Sequence, residues 1–544
     1  MTNGTPIIIL PEGAFRTQGR DAQRGNIMAA KAVGEIVKTT LGPMGMDKMV
    51  VDDMGDVIIT NDGATIVNEL NVEHPAAKMI IEVAKTQDEE VGDGTTTAVV
   101  LAGELLAQAE KLLDMGIHPT VITAGYRMAA KESFKILDNI SEKITLEDEQ
   151  LLRKIASTAM TGKGADSAKE ALNTLTVRAV KLVAEEENGK TVVDQDNITL
   201  EKKQGGSITD SEIIEGVMLD KERASNSMPS RIESAKIAVL DIGIEIKKTE
   251  TDAKIKITSP DQLSAFAMQE EKILKDKVDQ VAKSGANVLF CQKSIDDMAL
   301  HYLSKAGILT VKSVSESDIK KLSKATGARI LTNMKDISKA DLGYAKVVEE
   351  IKVSGDEMIF VRGCKNPKAV TVFIRGGTEH VVDEAERAVE DAIKGVAASV
   401  EVGRFVTGGG ALEIELSMRL REYAETIGGR EQLAIAAFAN ALETIPRTLA
   451  KSAGMDVIDT MVKLISEHEK KAKNAGVDVL ENKVSDMRKK GIIEPLKIKT
   501  QAIKSASEAA ELILRIDDII SASKKEMPSM PPGGGGCGMG GMGM

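Results

Sequence analysis

The chain is poor in cysteine and aromatic residues, and it has no long uninterrupted apolar run. Its three cysteines, Cys291, Cys364 and Cys537, are too few and too widely spaced for a disulfide framework or a cysteine-rich zinc site. A membrane-spanning helix needs about 18 or more consecutive apolar residues, and no such stretch occurs, so we expect no membrane association. The segment from Met1 to Pro11 lacks the basic start and apolar centre of a signal peptide, which favours a cytoplasmic location.

The charge balance and the shortage of aromatic side chains argue against nucleic-acid binding. The chain carries 71 Lys and Arg against 83 Asp and Glu, a formal net charge of −12, whereas phosphate backbones attract proteins with a positive field. With no Trp, four Tyr and eight Phe, few side chains could stack on bases. The 25 methionines either fill the core or provide an adaptable apolar contact surface.

At 544 residues the chain is too long for one compact core, and its patterns divide it into a nested series of segments. Residues up to about 160 have helical patterns, the stretch from about 187 is rich in short β-runs, and residues 235–350 alternate between strand and helix. After residue 370 a strand and a helix lead into a second helical region that follows Gly408. We therefore infer that the two ends form one domain into which two others are inserted.

The spacing of apolar residues also predicts the bounds of single elements. Predicted helices cover residues 21–40, 76–86, 95–113, 382–396 and 496–523, and predicted strands cover residues 48–52, 56–60, 236–242, 286–291 and 399–407. The run A-V-V-L-A-G-E-L-L-A within 95–113 is apolar nearly all round, which is typical of a buried helix.

The strongest local signal for chemistry is the loop G-D-G-T-T-T at 92–97, ahead of this buried helix. Glycines let a ligand approach the backbone, and the first-turn amide groups lie at the positive end of the helix dipole, so the loop could bind a phosphate. Asp93 could hold a magnesium ion, which takes few protein carboxylates and completes its shell with phosphate oxygens. A helix cap is an equally good interpretation of the loop alone, because Thr and Asp are good N-caps.

The other candidate residues carry less information by themselves. No Walker P-loop motif occurs, and T-G-K-G at 161–164 contains only part of one. The segment L-G-P at 41–43 could approach phosphates or simply end a helix, and the glycines at 408–410 could lie beneath a nucleotide or form a flexible joint. Asp62 lies in a turn, where a solvated carboxylate is commoner than a catalytic one. Asp391, in a helical pattern, could act as a general base only by meeting a phosphate held elsewhere.

Eight segments in order resemble the group II chaperonins, and within that family the archaeal thermosomes. They are T-L-G-P-M-G-M-D-K (40–48), T-N-D-G-A-T-I (60–66), V-E-H-P-A-A-K (72–78), V-G-D-G-T-T-T-A-V-V (91–100), T-G-K-G-A (161–165), G-A-N-V-L-F-C-Q-K (285–293), G-G-G-A-L-E-I-E (408–415) and R-I-D-D-I-I (515–520). The resemblance runs essentially from end to end, and the Gly/Met tail is also typical of that family. The family commonly has Lys at the position of Met44, a departure that bears on nucleotide affinity.

The resemblance implies a multidomain α+β fold of three domains and a tail. These are a mainly helical equatorial ATPase domain (1–146 and 405–526), a small α/β intermediate domain (147–217 and 370–404), an α/β apical domain (218–369) with a helical lid protrusion at about 246–282, and a disordered Gly/Met tail (527–544).

The resemblance also implies roles for individual residues. Nucleotide-binding residues would be Leu41, Gly42, Pro43, Gly94, Thr95, Thr96, Thr97, Lys163, Gly409, Gly410 and Glu494, the last near the ribose. Asp93 would bind magnesium, and Asp62 and Asp391 would orient and activate the attacking water. Leu263, Phe266 and Met268 would form the apolar tip of the lid, for lid–lid contact or for capture of non-native chains.

The function implied is that of an ATP-dependent chaperone. It would enclose non-native polypeptides in a double ring, with eight subunits per ring of one or several kinds, and close a built-in lid on ATP hydrolysis. The resemblance implies ATP, ADP and Mg²⁺ as ligands, K⁺ as a further candidate, and no separate co-chaperonin cap. The alternatives are a holdase or assembly protein that does not hydrolyse ATP, and a small-molecule ATP-dependent enzyme with a compact polar pocket.

Overall fold

The computed structural model describes residues 15–51, 55, 57–70, 72–162, 168–246, 260–334, 337–365 and 367–521. The first segment is mainly helical. Its elements are β1 (Phe15–Gln18), α1 (Arg20–Lys38), β2 (Lys48–Val51), β3 (Val57–Thr60), α2 (Gly63–Glu69), α3 (Pro75–Val91), α4 (Thr95–Asp114), α5 (Pro119–Ile140) and β4 (Glu142–Lys143). His74 and His118 cap α3 and α5 through their side chains, and a proline occupies the first turn of each helix, where the missing N–H costs no hydrogen bond.

The middle of the chain contains most of the strands. It begins with α6 (Glu149–Met160), α7 (Lys169–Val183), β5 (Ala184–Glu187), β6 (Lys190–Val193), β7 (Ile198–Gln204) and β8 (Glu212–Ile214). It continues with β9 (Gly216–Leu219), β10 (Arg231–Leu240), α8 (Pro260–Ser284), β11 (Val288–Cys291), α9 (Asp297–Lys305), β12 (Leu309–Val311), α10 (Glu316–Thr326), β13 (Ile330–Leu331), β14 (Gly343–Val353) and β15 (Asp356–Arg362).

The last segment returns to helices. Its elements are β16 (Val370–Gly376), α11 (Glu379–Val402), β17 (Arg404–Thr407), α12 (Ala411–Ile427), α13 (Gly429–Leu442), α14 (Thr444–Ser452), α15 (Val457–Glu469), β18 (Ala475–Asp478), β19 (Lys483–Asp486), α16 (Met487–Lys490), β20 (Ile493–Pro495), α17 (Leu496–Leu514) and β21 (Asp518–Ser521). Among the described residues, no helix is both long and apolar enough to cross a membrane.

The buried apolar residues form separate cores. The first core combines residues between 27 and 137 with residues between 406 and 514, so both ends of the chain contribute to it. The second combines α6, α7 and β7 with β16 and α11. A mixed sheet, in the order β12-β11-β10-β14-β15-β9, has a core on each face. Ala235, Ile237 and Val239 face one of these cores and Ala238 and Leu240 the other, as the two-residue period of a strand requires. These bodies confirm the predicted multidomain α+β class.

Two predicted boundaries are wrong. Residues 399–402 continue helix α11, which ends where Gly403 adopts a left-handed conformation, so the strand predicted over 399–407 begins only at Arg404. Val396 and Val400, four residues apart, are both buried in the second core, and that packing favours the helix. The closing helix ends at Leu514 rather than near residue 523, because the chain then forms β21, which pairs antiparallel with β1.

The other predicted elements lie close to their expected places. The strand predicted over 236–242 begins earlier, at Arg231, and the antiparallel partners β14 and β15 lie in a stretch where the sequence indicated only alternating strand and helix. The proposed protrusion at 246–282 includes most of α8, but residues 247–259 lie outside the described part of the chain, as do the tail at 527–544 and Cys537.

Candidate functional site

A cavity of about 330 Å³, here called the main cavity, lies at the N-terminal ends of α4 and α12. Segments from both halves of the chain line it. The predicted site residues that line it are Leu41, Gly42, Pro43, Asp62, Asp93, Gly94, Thr95, Thr96, Thr97, Gly409, Gly410 and Glu494. Lys163 lies outside the described residues, although Gly162, the residue before it, also lines the cavity. Residues that are far apart in sequence therefore meet at one concave surface.

The G-D-G-T-T-T loop opens α4 without a side-chain cap, so the capping alternative does not describe it. Gly94 is the N-cap residue with a φ of 76°, and a Cβ there would lie 2.7 Å from Ile498 Cγ2. Both features require glycine. The backbone N–H of Gly94 donates to Asp93 Oδ1 at 2.7 Å, which fixes the carboxylate beside the first turn. The first-turn N–H groups and the Thr95–Thr97 hydroxyls thus border the cavity at the positive end of a 20-residue helix.

Helix α12 repeats this arrangement on another wall. Gly410 is its N-cap and provides no side-chain hydrogen bond, so its first-turn N–H groups also lack a side-chain partner at the cap. Gly409 and Gly410 line the same cavity as Thr95–Thr97. Two helix N-termini that border one space form a surface suited to a polyanion, because each adds a partial positive charge and backbone donors.

Asp62 lines the main cavity and accepts hydrogen bonds from residues of two helices, α2 and α4. It is the N-cap of α2, and its Oδ2 accepts hydrogen bonds from Thr65 N at 2.7 Å and Thr65 Oγ1 at 2.8 Å. Its Oδ1 accepts a hydrogen bond from Thr95 Oγ1 at 3.4 Å, across to the phosphate-type loop. One oxygen therefore has the ordinary turn role that the sequence favoured, while the other faces the loop.

Asp391 lies in a second, smaller space of about 130 Å³, here called the side cavity. It is lined by Ile59, Thr60, Asn61, Asp62, Thr65, Asp88, Glu384, Arg387, Glu390, Asp391 and Lys394. Asn61 and Asp62 belong to both cavities. The structure therefore brings Asp391 to the same wall as Asp62, but not into the main cavity beside Asp93.

Lys394 is a central cation of the side cavity. Its Nζ lies 3.1 Å from Glu390 Oε1 and 3.6 Å from Asp88 Oδ1. Burial alone would lower the pKa of Lys394, but Glu390 and Asp88 outweigh it and raise that pKa above its usual value. Burial raises the pKa of Asp88, and Lys394 opposes this rise. The aliphatic part of Lys394 also packs on Gly92, where any Cβ would overlap it.

Several residues in and beside the main cavity were missed by sequence reasoning. Lys499 lines the cavity and forms a buried ion-pair cluster with Glu494 and with Glu413, which is not a lining residue. The apolar wall consists of Ile445, Leu449, Val477, Val479, Leu480, Met487 and Ile492. Only Glu413 stood in a quoted motif, G-G-G-A-L-E-I-E, and no role was attached to it. Short, mainly apolar segments such as V-D-V-L at 477–480 do not show from sequence whether their side chains line a cavity or pack in the core.

The cavity can accommodate a magnesium ion on the chemistry of its donors. Among the described residues no group of three or more Cys, His, Asp and Glu side chains forms a protein-only metal site. The carboxylate of Asp93 lies in the loop suited to phosphate, and that of Asp62 faces the same loop at Thr95. This donor set fits magnesium, which commonly binds one or two carboxylates together with substrate phosphates.

The two predicted lid residues with described side chains lie on α8. Phe266 is 38% exposed and Met268 is 70% exposed. The side chain of Leu263 lies outside the described part of the structure. The described residues of this helix therefore present apolar side chains to solvent, as a lid tip would.

Comparison with known proteins gives consistent results. Residues 33–524 match the model of the TCP-1/cpn60 chaperonin family. A thermosome subunit of Methanopyrus kandleri is 61% identical over 520 residues, which are 96% of this chain and 95% of that protein. The alpha and beta thermosome subunits of Archaeoglobus fulgidus are each 59% identical over 533 residues, covering 98% of this chain and 98% and 97% of those proteins. A solved open-state monomer of a group II chaperonin from Methanococcoides burtonii, 50% identical, superposes with a TM-score of 0.59 over 78% of this chain and 100% of that one.

Proposed function

The chain belongs to the TCP-1/cpn60 chaperonin family and is an ATP-dependent molecular chaperone, and we propose that the main cavity is its ATP-hydrolysing site. The observation that carries this proposal is the convergence of Gly94–Thr97 and Gly409–Gly410, from opposite halves of the chain, on one cavity. Two helix N-termini without side-chain caps provide N–H donors for the polyphosphate.

Different walls of the cavity bind different parts of the nucleotide. The backbone of Leu41–Pro43 and the first turn of α4 bind phosphates, and Lys163 approaches the terminal one. The apolar wall that includes Val477 and Ile492 receives the base, and Glu494 accepts hydrogen bonds from ribose hydroxyls. Asp93 holds the magnesium ion, whose charge would offset the phosphate charge that increases in the transition state.

Hydrolysis needs a water held in line with the γ-phosphate and a base that takes its proton. Asp62 orients the water, because its Oδ1 faces the phosphate loop at Thr95. The water oxygen bonds to phosphorus, the bond to the bridging oxygen breaks, ADP leaves, and the proton passes to a carboxylate. We assign that last role to Asp391, which α11 brings into reach when the second core moves toward the first.

The remaining proposals concern assembly and clients. We propose that subunits of this chain, alone or with paralogues, form a cytoplasmic double ring with eight subunits per ring and enclose non-native polypeptides. The tip of α8, with exposed Phe266 and Met268, serves as the built-in lid, so no separate co-chaperonin is required. K⁺ is a further proposed activator of the ATPase.

A double variant tests the proposed site. In Asp62→Ala/Asp391→Ala, we expect the ATP dissociation constant to stay within about threefold of wild type, while turnover falls roughly 10³-fold. Negative-stain electron microscopy with ATP should show closed rings for wild type and open rings for the variant. Asp383→Ala is the matched control, because Asp383 lies on the same helix but pairs with Lys202 at 2.9 Å, away from both cavities.

Two results would contradict the proposal. Unchanged client protection and ring cycling in the double variant would favour a holdase that does not depend on hydrolysis. Full ATPase activity in a stable monomer would favour a small-molecule enzyme.

A further inference from the structure

Two carboxylates and one ammonium group meet at the wall of the main cavity, which Glu494 and Lys499 line, in a cluster here called the charge triad. Lys499 Nζ lies 2.7 Å from Glu494 Oε2 and 3.0 Å from Glu413 Oε1. The side chains of Lys499, Glu413 and Glu494 are 8%, 5% and 19% exposed. Ions so far removed from water are costly to bury unless they are paired, so their geometry is tightly constrained.

The triad ties together three segments that line or support the cavity. Glu413 lies in the first turn of α12 after the glycines at 408–410, Glu494 lies in β20, and Lys499 lies in the first turn of α17. Glu494 Oε1 faces Gly408 so closely that a Cβ there would overlap it, while Oε2 contacts Lys499. Its carboxylate is therefore held from two sides.

The magnesium side of the cavity is connected to the same turn of α17. Gln87 Nε2 donates to the carbonyl oxygen of Asp93 at 2.9 Å and to that of Ile498 at 3.2 Å. Ile498 also packs on Gly94. A displacement of Lys499 would consequently move both the phosphate loop and the carboxyl group of Glu494.

The charges of the triad do not balance. The pKa of Glu494 is raised: burial raises it most, Lys499 opposes the rise, and Glu413 and Asp93 add to it. Burial would lower the pKa of Lys499, but the two glutamates keep it above its usual value. Glu413 Oε2 is buried and has no hydrogen-bond partner among the described residues. Removal of the ammonium group would raise the pKa of Glu494 further, and a protonated carboxyl group has a donor where the carboxylate has an acceptor.

We propose that Lys499, anchored by Glu413, is a positioning residue for nucleotide selection: it holds the carboxyl group of Glu494 in the orientation that accepts hydrogen bonds from ribose hydroxyls. This inference rests on the proposed function, because it assumes that Glu494 contacts the ribose. It predicts that Lys499 affects the choice between ribose and deoxyribose nucleotides, and that its loss makes this choice more dependent on pH.

The test compares ATP with 2′-deoxy-ATP and 3′-deoxy-ATP in the assembled protein. In Lys499→Met, we expect the KM for ATP to rise about tenfold and the preference over the deoxy nucleotides to disappear, with kcat within about twofold. Raising the pH should restore ATP affinity more in the variant than in wild type, because Lys499 lowers the pKa of Glu494 and its loss leaves that pKa higher. Lys499→Arg should rescue the preference, and Glu413→Gln should raise the KM by about threefold.

Controls separate this inference from a structural effect and from failure of the proposed function. Lys497→Met makes the same change two residues away and should behave as wild type. Lys497 is more exposed than Lys499, and its ion pair with Glu90 is longer, at 3.9 Å. If Glu494→Gln loses the ribose preference but Lys499→Met retains it, the role of Lys499 is refuted while the site stands. If Glu494→Gln retains the preference, the proposed ribose contact is refuted. Should Lys499→Met fail to assemble, Glu413→Gln provides the test, given that Glu494→Gln loses the preference. A KM for ATP raised about threefold in Glu413→Gln would support the proposal, and a wild-type KM would contradict it.

Discussion

The main cavity and the side cavity share Asn61 and Asp62 but are built differently. The main cavity is lined mainly by elements of the first core, whose apolar residues come from both ends of the chain, and one edge is formed by Thr158, Ala159, Thr161 and Gly162 at the end of α6. The side cavity lies between that core and helix α11, which packs in the second core. Most of the groups proposed to bind nucleotide thus belong to one body, whereas the candidate base belongs to another. Binding and hydrolysis should therefore respond to different substitutions.

The largest expected effect on nucleotide binding arises in the main cavity. In Asp93→Asn, we expect the affinity for ATP in the presence of Mg²⁺ to fall by roughly 10²-fold, because the variant loses the only charged ligand proposed for the ion. Isothermal titration calorimetry measures this directly. With EDTA present, wild type and variant should bind equally weakly. Asp88→Asn is the matched control, because it removes a carboxylate from the side cavity only. A comparable loss of ATP affinity in that variant would contradict the view that the main cavity alone binds the nucleotide.

A smaller effect is expected at the contact between the two cores. Gly92 has a φ of 71° and packs on Lys394, so Gly92→Ala both strains the backbone and displaces α11. We expect turnover to fall about tenfold while ATP affinity stays within about twofold. Gly116→Ala is the matched control, since Gly116 has a φ of 78° but open space around it. Equal losses of turnover in the two variants would show that strain, not the contact with Lys394, is responsible.

The smallest expected effect is a shift in pH dependence. Lys394 opposes the rise in the pKa of Asp88, and the charge of Asp391 helps to raise the pKa of Lys394, so removal of Lys394 should let these two carboxylates take up protons at higher pH. In Lys394→Met, the acidic limb of the kcat profile should therefore move to higher pH. Lys394→Arg retains the charge and should keep the wild-type profile. An unshifted limb in Lys394→Met would mean that the side-cavity carboxylates do not control turnover.

Local patterns predicted the elements that depend on nearby residues. The helix at 95–113 and the loop before it follow from an apolar run and a glycine cluster, and the structure has α4 at Thr95–Asp114. The strand expected over 399–402 was wrong because S-V-E-V suits either conformation, and packing of Val396 and Val400 in the second core decides for helix. Strand β21 was missed because its partner β1 lies at the other end of the chain.

The candidate site shows the same division. The phosphate-type loop could be recognised from its own residues, and the structure removes only the ambiguity with a helix cap. Asp391 was named through the family resemblance, since a helical aspartate has no local feature of a base. The triad of Lys499, Glu413 and Glu494 could not be predicted, because the pairing joins positions 86 residues apart and depends on burial that no sequence pattern records.

The proposed hydrolysis requires the carboxylate of Asp391 to reach the main cavity when the second core moves toward the first. Cryo-electron microscopy of the assembled protein with magnesium, ADP and aluminium fluoride, which mimics the γ-phosphate during transfer, measures this directly. We predict that α11 moves toward the first core, that the two cavities merge, and that Asp391 and Asp62 flank the water opposite the fluoride. A closed ring in which Asp391 remains confined to the side cavity, away from the mimic, would contradict the account.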